Sequence, residues 1–301
     1  MSAAPGQARG VAAMVGATML WGATFVVIRD SLHSLDPGAL VFGRFAVAAL
    51  VLSAMLARRG TMPPPAVLSV GAVSGVLFGA CYLLQAIGLT ATTAGSSAFL
   101  TCAGSMFAGF FAWPVLGQRP GGALLVGLIV ALAGAALLSL NGALRLGWGE
   151  AITMAGALCY GLGVAWVGRL GARVDPIALA ATQSAAIAVT LLFKAPLALH
   201  QLAALDAAGW ARFAYLALAG SVIAPLLQLA AQQTLPPGRV GLLLALEPVF
   251  ALVCAVTFGG ERFVARWWAG AALILLAVLE VEWISSRAPS SRRSASPESA
   301  A

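Results

Sequence analysis

Apolar residues fill this chain in runs of about twenty, the length a helix needs to cross a hydrocarbon core about 30 Å thick at about 1.5 Å of rise per residue. Ten such runs stand near residues 10–28, 38–57, 67–89, 94–115, 121–140, 149–168, 177–196, 210–232, 239–258 and 266–284. Between them lie residues that turn or charge the backbone: Asp36-Pro37-Gly38, Arg58-Arg59-Gly60 with Pro63-Pro64-Pro65, Gln118-Arg119-Pro120, Asp175-Pro176 and Pro236-Pro237-Gly238. A helix satisfies its own backbone N–H and C=O groups, which lipid cannot. The pattern predicts an all-α integral membrane protein with ten transmembrane helices. The first run, from Val11 to Ile28, exceeds the roughly 7–15 apolar residues of a signal-peptide core and precedes no A-x-A cleavage pattern, so it reads as a retained helix.

Composition strengthens this reading. Of 301 residues, 61% are hydrophobic and 9% charged, against roughly 25% charged in soluble domains. So few charges cannot cover a globule in water, and the outer surface must meet lipid. The net charge of +7 does not point to nucleic acid: sixteen of the seventeen basic residues are arginines scattered between apolar runs. They read as topology determinants and as contacts to anionic headgroups of the bilayer. Ten spans place both termini on one side. If that side is the cytoplasm, its segments carry ten basic residues against six outside, with Arg44 left within a span. That bias favours cytoplasmic ends. Trp148, Trp210, Trp267, Trp268 and Trp283 fall at helix ends, as interfacial anchors do. The tail beyond residue 285, Ser-rich with Arg292-Arg293, reads as disordered.

The second half echoes the first. Asp36-Pro37 recurs as Asp175-Pro176 at an offset of 139, which also lays Trp21-Gly22 over Tyr160-Gly161. Leu83-Leu84-Gln85 recurs as Leu226-Leu227-Gln228 at an offset of 143, and the loop around residues 198–208 is the place to absorb the change. Two five-helix repeats follow, residues 10–143 and 144–285, flanked by a cytoplasmic segment 1–9 and the tail 286–301. Five is odd, so the second unit enters the membrane from the opposite face. Inverted repeats of this kind recur in secondary transporters, where the substrate sits at the midplane between units that rock about it.

With these residues in hand the chain resembles the EamA family of the drug/metabolite transporter (DMT) superfamily. The resemblance rests on Trp21-Gly22-Ala23-Thr24-Phe25, on Pro37 with Arg44 seven residues later, and on Gly95-Ser96-Ser97-Ala98. Its strongest piece is Glu247-Pro248-Val249-Phe250-Ala251, followed by Gly259-Gly260-Glu261. It covers roughly residues 8–285. The resemblance implies a multi-pass carrier of the inner (plasma) membrane with cytoplasmic termini and a central cavity, often an exporter of amino acids or other metabolites. The first half departs from the pattern: Gly104, Ser105 and Gln118 stand where the second half has Glu247, Pro248 and Glu261.

Glu247 is the deepest acid, about 12 Å along its helix. A mid-membrane charge is costly and faces a cavity or a partner. Pro248 removes one helical hydrogen bond and is expected to kink the helix there. Arg44 is the other deep charge, a candidate coupling or structural group. Tyr82 and Gln85 share a face of the third helix. Gln228 is the repeat partner of Gln85, Tyr160 of Trp21, and Gln183 of Arg44. The cavity candidates are thus Trp21, Tyr82, Gln85, Tyr160, Gln228 and Glu247, with Glu247 and Arg44 as the charges and protons as the candidate coupling ion. Gly71, Gly75 and Gly79 read as a packing stripe, and Lys194 as a snorkelling anchor. All four cysteines lie in apolar runs without a C-x-x-C pair, and both histidines lie in connecting segments. No metal and no cofactor is expected, and the absence of a P-loop argues against direct use of ATP.

The function that follows is a secondary transporter moving a small metabolite by alternating access. The competing readings are a passive channel or facilitator and a membrane-embedded enzyme. An enzyme would need a buried nucleophile with a base, or paired carboxylates; no span contains histidine, and one carboxylate lies clearly deep.

Overall fold

A computed structural model gives the fold for residues 5–60, 62–92, 94–139, 147–258 and 266–287. The Gly259-Gly260-Glu261 motif, Arg145, Arg262 and the chain beyond residue 287 lie outside the described residues. So do the surroundings of residues 94–96 and 103–106, which include Gly95, Ser96, Gly104 and Ser105.

Every element among the described residues is helical. In chain order they are α1 (Pro5–Ser31), α2 (Pro37–Arg58), α3 (Pro65–Leu89), α4 (Ala94–Leu116), α5 (Gly122–Ser139), α6 (Trp148–Val167), α7 (Pro176–Thr190), α8 (Ala207–Gln232), α9 in two pieces (Pro237–Leu244 and Glu247–Thr257) and α10 (Arg266–Arg287). Six of these, α1, α2, α3, α6, α8 and α9, are each long and apolar enough to span a bilayer, and α7 with its continuation Leu192–Ala203 makes a seventh, bent by 60°. The apolar stretches of α4, α5 and α10 are shorter: Leu100–Leu116, Gly122–Leu137 and Trp268–Val281. The bend in α7 departs from the straight helix read over 177–196. Leu191 leaves the helical path there, and the short helix Ala195–Ala203 leads to α8.

The Asp-Pro pairs seen in the sequence are helix starts. Asp36 and Asp175 cap α2 and α7 by accepting the N–H groups of Ala39 and Ile177, with proline at the first helical position of each. The aspartate satisfies an orphan donor, and proline has no N–H to lose there. The ends of α2 and α4 run into Gly60 and Gly117 at φ of 64° and 71°, a left-handed conformation that a side chain would disfavour.

Packing repeats when each helix is exchanged for the one five positions along. The α3–α6 and α4–α6 contacts are matched by α8–α1 and α9–α1, and α3–α7 by α8–α2; α2–α7 and α5–α10 pair with themselves. The glycine stripe serves this packing: a Cβ on Gly75 would stand 2.7 Å from the Gln183 carbonyl oxygen of α7. Gly6 and Gly10 of α1 abut Thr234, just before α9, while Gly168 at the end of α6 abuts Leu116 and Pro237. Thus α1 begins at the face where its repeat partner α6 ends, and the two five-helix units are inverted. Side chains such as Leu50, Val189, Leu276 and Phe258 are exposed on the outside, where lipid replaces water.

The α2–α7 seam carries an ion pair at each end. At the face where α1 begins, Arg59 meets Asp175 at 3.3 Å; at the opposite face Lys194 meets Asp36 at 3.0 Å. Lys194 therefore has a defined partner, in place of the snorkelling anchor its position suggested. Partial burial pushes the Asp36 carboxyl upward, but the hydrogen bonds from Lys194 and the Ala39 N–H, with the lysine charge, outweigh this and hold it below the usual carboxylate value.

Candidate substrate site

The polar residues of the spans converge at mid-depth. Trp21 and Thr24 of α1, Arg44 of α2, Cys81, Tyr82 and Gln85 of α3, Thr101 of α4, Tyr160 of α6 and Glu247 of α9 line one cavity of about 20 Å³. That volume holds about one water. Tyr82 also lines a second cavity of about 20 Å³, with Phe45, Phe78, Gln183, Ser184, Gln228 and Leu229. Leu229 in turn lines a vestibule of about 150 Å³ where α4, α6 and α8 end and α9 begins, edged by Gln118, Gln232 and Gln233. The three form a stepped series from one membrane face to Glu247.

The hydrogen bonds explain the placement. Gln85 donates to Thr101 at 3.0 Å, and the Tyr160 hydroxyl donates to the Gln228 amide oxygen at 2.9 Å. The Gln228 Nε2 is buried with no acceptor. Buried donors are rarely left so, which marks this amide as a place for water or solute. Trp21 meets Tyr160 edge-on at 6.3 Å, so the two repeat partners also face one another.

Of the residues singled out from the sequence, Trp21, Tyr82, Gln85, Tyr160, Glu247 and Arg44 share the first cavity; Gln228 lines the adjoining one and touches Tyr160. Gln183 donates to Ser74 of α3 at 2.9 Å, while Arg44 donates to Ser221 of α8 at 2.7 Å. Repeat-related helices thus make counterpart bonds across the seam. Thr24, Thr101 and Ser221 were given no role from sequence. Thr24 stands within the Trp21–Phe25 motif, but for Thr101 and Ser221 the signal is a hydroxyl at mid-helix, and such groups commonly bond back to their own helix.

Glu247 opens the second piece of α9. Ala245 and Leu246 donate to carbonyls three residues back, so the helix tightens and breaks just before Glu247 and Pro248. Pro248 cannot donate to the Leu244 carbonyl, which is why the break falls here. The break places Glu247 at the start of the second helical piece, where Val249 and Phe250 both donate to the Leu246 carbonyl. Glu247 is 7% exposed, and no hydrogen bond or ion pair engages it among the described residues.

Arg44 is 2% exposed. Its guanidinium lies 5.2 Å from the ring centres of both Phe45 and Tyr82. Ser221, which receives its Nε–H, sits in a π-helical stretch of α8, Leu216–Ile223, and passes its own proton to the Leu216 carbonyl at 3.0 Å. The Gly220 carbonyl in the same stretch accepts the Trp21 indole N–H at 2.9 Å, and the Tyr215 hydroxyl donates to the Leu20 carbonyl at 2.8 Å. These bonds tie α1 and α2 to α8 on the side of the cavity away from the vestibule.

A groove of about 1240 Å³ between α1, α9 and α10 is far roomier; apolar residues such as Val11, Val15, Leu243, Phe250 and Leu279 make up most of its wall, with Gln7, Arg239 and Glu280 also lining it. Among the described residues no three His, Cys, Asp or Glu side chains gather to hold a metal, and none of the four cysteines forms a disulfide.

Known proteins share this plan. The EamA-like transporter family matches residues 8–140 and again 147–281. The uncharacterized inner membrane transporter YedA of Escherichia coli K12 is 27% identical over 274 residues, covering 87% of each chain. An uncharacterized transporter of Archaeoglobus fulgidus is 27% identical over 265 residues, covering 87% of this chain and 82% of the relative. A solved crystal structure shares the fold, with a TM-score of 0.75 at 18% identity over 94% of this chain and 100% of the other. Matched in both inverted halves, the chain belongs to the EamA-like transporter family of the DMT superfamily and is a membrane transporter, not an enzyme.

Proposed function

We propose that this transporter is a secondary carrier that exports a small polar metabolite across the inner membrane by alternating access, with both termini in the cytoplasm. The observation that carries the reading is Glu247: a buried, unpartnered carboxyl at the end of a stepped series of cavities that begins at one face. A charge in that position is costly unless it meets a mobile partner. The basic residues favour the vestibule face as cytoplasmic. The inverted halves supply the motion, since a tilt of one against the other closes the vestibule and opens the opposite side. In this structure that opposite side is tied by the Trp21, Arg44 and Tyr215 bonds.

The same carboxyl is the candidate proton carrier. The titratable and charged groups facing it are Arg44 on α2, Cys81 and Tyr82 on α3, Cys102 on α4 and Tyr160 on α6. Counterflow in proteoliposomes tests the carrier: external labelled solute accumulates against unlabelled solute inside, which a passive channel does not support. Glu247→Gln is expected to abolish transport coupled to a pH gradient. Unchanged rate and pH dependence in that variant would remove proton coupling through Glu247.

A further inference from the structure

The groove between α1, α9 and α10 opens on the outer wall of the bundle, where Leu275, Leu276 and Leu279 of α10 are exposed. It exists because α10 is held from its other side. A Cβ on Gly134 of α5 would stand 2.6 Å from the Gly270 carbonyl oxygen, so α5 and α10 meet backbone to backbone. Among the described residues α10 makes no comparable seam with α1 or α9. The volume of about 1240 Å³ exceeds the roughly 300–1,000 Å³ of a small-molecule pocket. Its length decides more. The α9 residues on its wall run from Arg239 to Phe250, about 16 Å at about 1.5 Å per residue. That is close to half of a hydrocarbon core about 30 Å thick, the depth of one leaflet.

The wall changes character along that length. At the face where α1 begins stand Gln7 near the start of α1, Arg239 in the first turn of α9, and Glu280 and Trp283 near the end of α10. Toward mid-membrane the lining is Val15, Leu243, Leu246, Phe250 and Leu275. A polar end with a tryptophan at the interface, above an apolar slot one leaflet deep, complements a lipid lying along the helices. The polar end carries both signs. A guanidinium has five N–H donors, enough to hold a phosphate beside a protein partner, and a carboxylate accepts N–H bonds from an ammonium.

We infer that a phospholipid bearing a primary ammonium occupies this groove, its acyl chains along α9 and α10, its phosphate at Arg239 and its ammonium at Glu280. Phosphatidylethanolamine has that chemistry. An anionic headgroup without an ammonium sets its negative charge beside the Glu280 carboxylate with nothing to offset it. A choline headgroup brings the positive charge but has no N–H to donate. The chains end against Leu246 and Phe250, which bracket Glu247 and Pro248. Phe250 also backs onto Gly22 of α1, where a Cβ would stand 2.6 Å from its own. The seated lipid thus walls the break in α9 on its outer side, whatever solute passes within.

The test is native mass spectrometry of the full chain released from nanodiscs that hold equal parts of phosphatidylethanolamine, phosphatidylcholine and phosphatidylglycerol with the same acyl chains. One phosphatidylethanolamine per chain is expected to stay bound, retained about ten-fold over either of the others, the worth of one hydrogen bond to a charged group. Glu280→Gln is expected to bring phosphatidylethanolamine and phosphatidylcholine to equal retention, and Arg239→Gln to lower retention of all three. Where Arg239→Gln does not fold, Leu276→Trp fills the slot from an exposed position on its wall and is expected to remove the bound lipid whatever its headgroup. Lipid retained unchanged in Leu276→Trp would overturn the groove as the seat. Equal retention of the three headgroups by the unaltered chain, or a preference that survives Glu280→Gln, would overturn the headgroup assignment. Efficient cross-linking of Leu279→Cys into dimers would give the groove to a second copy and overturn the lipid.

Discussion

Gly22 stands where α1 crosses the break in α9, and adding one methyl group there tests the packing around Glu247. A Cβ on Gly22 would lie 2.6 Å from the Phe250 Cβ, 2.8 Å from the Ala251 nitrogen and 3.0 Å from the Glu247 carbonyl oxygen. Carbon atoms rest at about 3.5–4.0 Å, and two of these neighbours are backbone, so α9 must shift by about 1 Å. Overpacking of this kind costs about 1–3 kcal/mol. Alanine is also a better helix former than glycine by about 1 kcal/mol, so the raw change understates the strain. Gly16→Ala in the same helix is the control, because its Cβ meets only the tip of Leu227 at 3.4 Å. The propensity gain is common to both variants and cancels in the comparison. Gly22→Ala should therefore melt lower than Gly16→Ala, by roughly 2–8 °C in tryptophan-fluorescence unfolding of the purified protein. It should also lose transport, because the displaced segment carries Glu247. Phe250→Ala should not rescue it, since that change keeps the Cβ that clashes. Equal melting temperatures for the two alanine variants would refute the close α1–α9 contact.

Three further outcomes follow from the same geometry. Tyr160→Phe leaves the Gln228 amide oxygen without its donor beside an Nε2 that already lacks an acceptor; it should destabilise by about 1–3 kcal/mol, read as a melting shift that Tyr215→Phe, at a half-buried site, does not match. Pro248→Ala restores an N–H that can reach the Leu244 carbonyl; thermal stability should hold or rise while transport falls, and unchanged transport would separate the break from function. Asp36 titrates below its ordinary value of about 3.9, so the stabilisation from its ion pair is present above that pH and is lost only as pH drops through the lower folded value. Asp36→Asn should cost the same at pH 5 and pH 8, up to about 1 kcal/mol, and any transport change within that window must arise from another group.

The fold was legible because its signals are local. Runs of apolar residues, Asp-Pro caps at Asp36 and Asp175, and a proline beside a lone acid at Glu247 each declare themselves within a few residues. The recurrence of Asp36-Pro37 and Gln85 as Asp175-Pro176 and Gln228 gave the inverted plan, which the exchange of helix contacts bears out. The site was legible as a set of candidates, since polar groups at lipid depth are few. Their partners were not. Lys194 meets Asp36 across most of the chain, and nothing within a few residues of either announces it. The bend after α7 was missed because Leu191-Leu192-Phe193 continues the apolar run without a break. Arg44 could be read as buried but not as oriented: its holder, Ser221, is an ordinary hydroxyl in an apolar helix, and the widened turns that present it leave no trace in residue spacing.

Those widened turns give α8 a surplus of chain. A stretch with hydrogen bonds from each residue to the fifth before it packs more residues into the same length than an ordinary helix does. If the surplus travels along the helix, every residue it passes turns by about 100° while the ends stay put. Gly220 and Ser221 would then swing away together, dropping the Trp21 and Arg44 bonds in a single movement. One helix can in this way undo two fastenings without being pulled out of its place in the bundle.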